Sequence, residues 1–440
     1  MTGLELSIIA FAVMLIAIFL RIPIGVSMAF TGFIGTWVLL GSPNAVLSQL
    51  KSLTYDTFSS YSLSIVPLFL LMGQFATKSG MSRDLFRSAA DWFGHYKGGM
   101  AIAAVGSCAG FGAVCGSSLA TASTMGQVAL PELRRYGFSD ALSTGVLAAG
   151  GTLGILIPPS IILVIYAIIA EQNIVKMFMA AMIPGMLAAL GYMLTVMIYV
   201  WIKPDSATSA PRVPMKQRLG NLVKIWPVVV IFLAVIGGIY AGIFTPTEGA
   251  AVGAIGAGLY GVLSGGLDRR GFLDSILATA SSTGMIFFIV FGAQLFNSFL
   301  AFTQTPQGLA TWVGAQGYAP MLVLLAMLAL YLVFGCVMDS LSMILLTIPI
   351  FFPIIMSLDF GMPPEEVAIW FGIIALIVVE VGLITPPVGM NLFIIHSIAP
   401  EIRITQTYRG VAPFVLSDII RVGILIGFPS ITLWLVRVMF

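Results

Sequence analysis

Two clusters of small and oxygen-bearing residues in an otherwise apolar chain have the makeup to hold an ion. Gly116, Ser117 and Ser118 form one, and Asp339, Ser340 and Ser342 the other. Downstream of each lies a Pro-Pro pair within an apolar run, in GILIPPS from Gly154 and in GLITPPV from Gly382, 228 residues later. Proline inside a membrane helix removes a backbone donor and frees carbonyls that lipid cannot satisfy. Such a break persists only where it is buried in protein or lines a polar cavity. The half-helix ends it leaves offer N–H groups to an anion and carbonyls to a cation. Thr152, Ser160, Thr385 and Asn391 flank the breaks and add side-chain oxygens. Free carbonyls with hydroxyls suit sodium, and two matched breaks, one per half, point to a carrier with its site between repeats.

Composition places these clusters in a membrane. Hydrophobic residues make up 59% of the chain, charged residues 9%, and mean hydropathy is +1.05. A span needs ~20 apolar residues, so there is room for about a dozen passes and no soluble domain. Leu4 to Leu20 has no basic leader or small-residue cleavage site and is expected to be a retained helix. Cys108, Cys115 and Cys336 lack metal-ligand spacing and read as packing residues, and His95 and His396 are isolated. No nucleophile is set beside a base or a paired acid, which argues against an intramembrane enzyme.

The positioning elements follow from periodicity and punctuation. Helices are expected near 4–20, 24–41 and 61–78, then an amphipathic surface piece from Met81 to His95. Two short segments around Gly116 predict a re-entrant hairpin at about 98–131, followed by a broken helix at about 140–170 and a helix at 177–202. Residues 203–224, with three prolines and five basic residues, read as a cytoplasmic linker. The order then recurs from 225 to 440: helices to 242, at 247–265 and at 276–300, a hairpin at about 319–356, a broken helix at about 366–399, and a last helix from Pro413 to Arg437. FGAVCGSS (111–118) aligns with FGCVMDSL (334–341), Trp92-Phe93-Gly94 with Trp312-Val313-Gly314, and Pro23 with Pro246. The fold class expected is an all-α polytopic membrane protein of two repeats, 1–202 and 225–440.

Five crossings per repeat invert the second repeat relative to the first. With the linker in the cytoplasm, 16 of the 20 lysines and arginines fall on that side, the exceptions being Lys51, Lys176, Arg421 and Arg437. Both termini are then expected outside. Asp339 is the sharpest single residue, because an acid at a membrane helix centre costs ~2.5–3.5 kcal/mol. It either binds an ion or caps a half-helix. Glu380 and Glu248 are also at membrane depth, where either could tie elements together. For Glu248, after Thr245, capping is expected.

GIFTPTEGAAVGAI (242–255), FGAVCGSSLA (111–120), GTLGILIPPSI (151–161) and GLITPPVGMNLF (382–393) resemble the large, DctM-like membrane subunit of tripartite ATP-independent periplasmic (TRAP) transporters, over essentially the whole chain. The resemblance implies an elevator-type, sodium-driven importer of organic acid anions in the inner membrane. It also implies two partners, a small four-helix membrane subunit and a soluble extracytoplasmic binding protein. No helices precede Met1 to supply that subunit, so it is expected as a separate chain. Carried over, sodium contacts are expected at Gly112, Ser117 and Thr152, and at Gly335, Asp339, Ser340, Ser342, Gly382 and Thr385. Substrate contacts are expected at Gly116, Ser117, Ser118, Pro158, Pro159, Ser340, Thr385 and Pro386. The alternative is a stand-alone sodium-coupled dicarboxylate or citrate carrier, or an antiporter, without a binding protein. If sodium binding closes the hairpin tips, Ser117→Ala, Ser340→Ala and Asp339→Asn should each weaken sodium dependence more than folding. Wild-type sodium affinity in all three would refute the ion assignment.

Overall fold

In lipid a helix satisfies its own backbone, and among residues 3–440, which the computed structural model describes, every regular element is helical. Helix starts coincide with side-chain caps: Ser139, Ser160 and Asn173 accept backbone N–H bonds ahead of Asp140, Ile161 and Ile174. The helices Ile174–Ile202, Arg269–Phe302 and Ile404–Gly427 are long and apolar enough to cross a membrane. Six further apolar helices run only 10–17 residues. The dozen crossings expected from composition are therefore not a dozen straight helices.

Helices from both halves pair in one region. Ile24–Leu40 lies along Arg269–Phe302, and Ile65–Lys78 along Pro246–Leu263. The contacts are close because glycine leaves room for backbone: a Cβ at Gly32 would fall 2.6 Å from the Phe296 nitrogen, and one at Gly292 2.2 Å from the Gly25 carbonyl oxygen.

A second region is built from interrupted elements. Helices Gly99–Cys115 and Ser118–Arg135 form hairpin 1, and Pro320–Gly335 and Ser340–Met356 form hairpin 2. Broken helix 1 comprises Asp140–Leu156 and Ile161–Ile169, bent by 46°; broken helix 2 comprises Pro364–Gly382 and Met390–Ile398. The peptide bond within each Pro-Pro pair is cis.

The two broken helices brace each other reciprocally. Tyr166 of the second piece of broken helix 1 donates to the Ala368 carbonyl in the first piece of broken helix 2 (2.6 Å), its ring filling the space over Gly372. Asn391 of the second piece of broken helix 2 donates to the Ala148 carbonyl in the first piece of broken helix 1 (3.2 Å). Ion pairs extend the pattern. Arg134 reaches Asp140 at the start of broken helix 1 (3.5 Å) and Glu401 just beyond the end of broken helix 2. Lys176, past the end of broken helix 1, pairs with Glu365 at the start of broken helix 2 (2.5 Å). Each start lies beside the other's end, so the two run antiparallel. In the exposed loop, its own backbone N–H and the Arg134 guanidinium hold the Glu401 carboxyl below the usual carboxylate range, a contribution lost as pH falls through that lowered value.

Several sequence expectations change in detail, and the short connector expected after residue 300 carries the helix Thr305–Ala315. Residues 42–60, given no element above, carry the helix Pro43–Phe58. The helix expected at 276–300 spans Arg269–Phe302, because Asp268 caps it by accepting from the Gly271 N–H (2.7 Å). The linker contains a helix, Met215–Val223, tied to the Met81–Phe93 arm by a hydrogen bond from Asn221 to Asp91 (2.6 Å) and by Arg218 over the Trp92 ring. The single helix expected from Pro413 to Arg437 is two, Ile404–Gly427 and Pro429–Met439. Pro429 forces the residue before it, Phe428, out of the helical region.

Hairpin and broken helix meet through glycine in both halves. A Cβ at Gly112 would lie 2.5 Å from the Gly154 Cα, and one at Gly382 2.6 Å from the Gly335 Cα. Gly382→Ala must therefore push hairpin 2 away, and a loss of Tm of several degrees or of monodisperse protein is expected. Gly220→Ala, with nothing within 4 Å, is the matched control and should leave Tm unchanged.

Candidate functional site

Hairpin 1 turns at Gly116, whose φ of 66° caps the first helix, and restarts at Ser117, whose Oγ accepts from the Ala120 N–H. A Cβ on Gly116 would sit 3.1 Å from the Pro159 carbonyl oxygen, so this tip lies on the first Pro-Pro break. Pro158, Pro159 and Ser160 are buried, and Ser160 caps the second piece of broken helix 1. Thr152 Oγ1 donates to the Ala149 carbonyl (2.7 Å) and meets Tyr192 Oη (3.0 Å).

Hairpin 2 restarts at Asp339. Its Oδ2 accepts from the Ser342 N–H (3.1 Å) and its Oδ1 from the Ser342 hydroxyl (2.5 Å), so the capping role is realised in the geometry. The tip lies on the second break: the Gly389 N–H donates to the Cys336 carbonyl (3.0 Å), and Cys336 Sγ approaches the Pro386 carbonyl. Thr385 Oγ1 turns back to the Val381 carbonyl (2.7 Å), and Pro386 is exposed, unlike its counterpart Pro158.

The two tips converge on Glu380. Ser340 donates to its Oε1 at 2.6 Å, and the Ser118 hydroxyl lies within interaction range of the same carboxyl without forming a well-shaped hydrogen bond. Of the sequence-predicted residues, Ser118 and Ser340 are thus brought together, Gly112 is set against Gly154 near Thr152, and Gly335 against Gly382. Glu248 stays apart in a capping box with Thr245.

A buried polar chain extends from Thr152 that sequence reading did not assemble. Tyr192 donates to Asp418 (2.7 Å), and Asp418 pairs with Arg421 (2.8 Å), whose guanidinium also lies over the Tyr192 ring. The i, i+3 spacing of Asp418 and Arg421 in the apolar run VLSDIIRVG was the available signal.

A cavity of about 880 Å³ lies between the arm Met81–Phe93 and the second helix of hairpin 1. Its charges are Lys78, Arg83, Arg87 and Arg135 against Asp91 and Glu132. None of the predicted substrate residues lines it.

Paired hairpins, paired broken helices and buried polar tips define a polytopic membrane protein with the architecture of a transporter permease. The chain belongs to the family described as "Tripartite ATP-independent periplasmic transporter, DctM component", which residues 11–431 match. It is 37% identical to the C4-dicarboxylate TRAP transporter large permease protein DctM of Pseudomonas aeruginosa, covering 90% of this chain and 91% of that one. To the ectoine TRAP transporter large permease protein TeaC of Halomonas elongata it is 30% identical, over 96% and 97%. The fold is similar to the crystal structure of the Alcanivorax borkumensis YdaH transporter, with a TM-score of 0.63 at 16% identity over 89% and 90% of the two chains.

Breaking a buried ion pair strands a charge and typically costs about 3–5 kcal/mol, more than replacing both partners by apolar groups. Arg421→Met should therefore destabilise by about that amount, and Arg421→Met with Asp418→Leu by less. Denaturation of the purified variants in detergent measures both. With Asp418→Leu measured alone as well, a loss in the double variant equal to the sum of the two single losses would mean the pair is not coupled.

Proposed function

We propose that this chain imports a small organic acid anion, of the carboxylate or sulfonate class, across the inner membrane, coupled to sodium and moving by an elevator mechanism. An extracytoplasmic binding protein delivers the substrate, and a small four-helix membrane subunit completes the complex. The observation that carries this reading is the convergence of both hairpin tips on one buried carboxyl, each tip resting on its own Pro-Pro break. C4-dicarboxylate in the name of the Pseudomonas relative and ectoine in that of the Halomonas relative support a small polar substrate.

On this reading Gly112, Ser117 and Thr152 hold one sodium ion and Gly335, Ser340, Ser342, Gly382 and Thr385 another. Asp339 shapes the second site by capping its half-helix. The substrate lies between the tips, against Gly116, Ser117, Ser118, Pro158, Pro159, Ser340, Thr385 and Pro386. Bound sodium offsets the anion's charge, which a low-dielectric path would otherwise penalise. Hairpins and broken helices move together because they brace one another, while the Ile24–Leu40 and Arg269–Phe302 region stays fixed. Antiparallel broken helices support an inverted repeat, with both termini outside. The basic cavity beside hairpin 1 supplies an aqueous, anion-favouring path on the cytoplasmic side.

Uptake of labelled organic acids into liposomes tests the reading, with this chain alone or with its two partners, under a sodium gradient. Uptake should require sodium and both partners. Sodium-driven uptake by this chain alone would assign it to the stand-alone carriers, and uptake indifferent to sodium would remove the coupling.

A further inference from the structure

Glu380 is 1% exposed and, among the described residues, has no lysine or arginine in ion-pair range. Its Oε1 takes the Ser340 hydroxyl, whereas Oε2 is buried without a hydrogen-bond partner. The Ser118 hydroxyl beside it, on a residue 1% exposed, is also unpartnered. The other charge acting on the carboxyl is that of Asp418, which Arg421 already pairs. Two hydroxyls, one from each hairpin, thus flank a buried acid with no counter-charge, and one of them and the acid's own Oε2 are unsatisfied. To stay ionised in such a place, a buried carboxylate requires one.

The repeat adds an independent argument. Glu380 stands two residues before Gly382, as Thr152 stands two before Gly154, so the acid occupies the position that threonine holds in the first half. Thr152 turns its hydroxyl toward Tyr192, away from any tip serine among its hydrogen-bond partners, while Glu380 faces serines from both tips. The second half has gained a negative charge where the first has a neutral oxygen.

We propose that Glu380 is a sodium ligand shared by the two hairpins, with the Ser118 and Ser340 hydroxyls as its neutral co-ligands. This deepens the sodium-coupled reading above and rests on it. An ion held there joins hairpin 1 and hairpin 2 to broken helix 2, so neither tip opens without losing an oxygen from the ion. Sodium occupancy then closes both tips together, and ion release frees both.

A purely structural Glu380 needs only to accept from Ser340, which glutamine does equally well at the same size. The test is thermal unfolding of the purified full chain in detergent, with NaCl replacing choline chloride at constant ionic strength. Wild type should gain Tm with sodium. Glu380→Gln should unfold near the wild-type temperature in choline but need at least about tenfold more sodium for its half-maximal gain. Ser118→Ala removes a hydroxyl that makes no hydrogen bond, so it should fold normally and still shift the sodium midpoint upward severalfold. It decides the matter if Glu380→Gln does not fold. An unchanged midpoint in the folded variants would overturn the shared site and leave sodium coupling standing. A wild type that gains nothing from sodium would overturn the coupled reading itself, and this site with it.

Discussion

A backbone interrupted at membrane depth must find its hydrogen-bond partners within the protein, and that requirement organises the region containing the site. Two hairpins and two broken helices expose half-helix ends, which each satisfies only in part from its own residues. Capping side chains take the N–H groups: Ser117, Ser160 and Asp339 each sit at a restart. At hairpin 2 the Gly389 N–H is taken by the Cys336 carbonyl of the tip, and at hairpin 1 Gly116 packs on the Pro159 carbonyl. The breaks are thus stable only in company. Hairpins and broken helices form one cooperative body, from which an element could be removed only by leaving buried polar groups unpaired.

Close glycine contacts and long polar side chains divide the work of holding that body together. Where a hairpin crosses a broken helix, Gly112 on Gly154 and Gly335 on Gly382 bring backbones nearly into contact, which side chains of any size would prevent. Where the two broken helices meet, the spacing is wider and Tyr166 and Asn391 bridge it with hydrogen bonds to carbonyls. Lipid supplies no hydrophobic drive between helices, so dispersion at the glycine contacts and these buried hydrogen bonds provide the specificity. Both devices appear once in each half, and the second pair joins the halves to each other.

Much of this was legible in the sequence because each device uses residues with few alternative roles. A Pro-Pro pair in an apolar run marks a break, and glycines and serines near a helix-length offset mark a tip. A threonine three residues before a glutamate marks a capping box, as Thr245 and Glu248 form. What the sequence left open were choices made by tertiary geometry. Asp339 was equally suited to an ion or a cap, and only the tertiary geometry shows that it caps, with its oxygens on the Ser342 N–H and hydroxyl. The Thr152–Tyr192–Asp418–Arg421 chain spans three helices far apart in sequence, so no local pattern joins its members. Helix ends were misread where a single proline was given too much or too little weight. Pro413 lies inside a continuous helix, whereas Pro429 ends one by displacing Phe428.

The distribution of buried charge bears on how such a body could cross a membrane. Its exposed ion pairs, Arg134 with Glu401 and Asp140 and Lys176 with Glu365, sit at the ends of the broken helices, where water screens them and they cost little. The deep charges are few: Asp418 neutralised by Arg421, and Glu380 with hydroxyls alone. A deep acid of this body, while ionised, is balanced when a cation occupies it and unbalanced when it is empty. On the proposed elevator reading, the empty, charged body meets an electrostatic barrier that the occupied one does not. Coupling would then need no dedicated gate, since the same carboxyl that gathers the two tips also sets the charge of the body that moves.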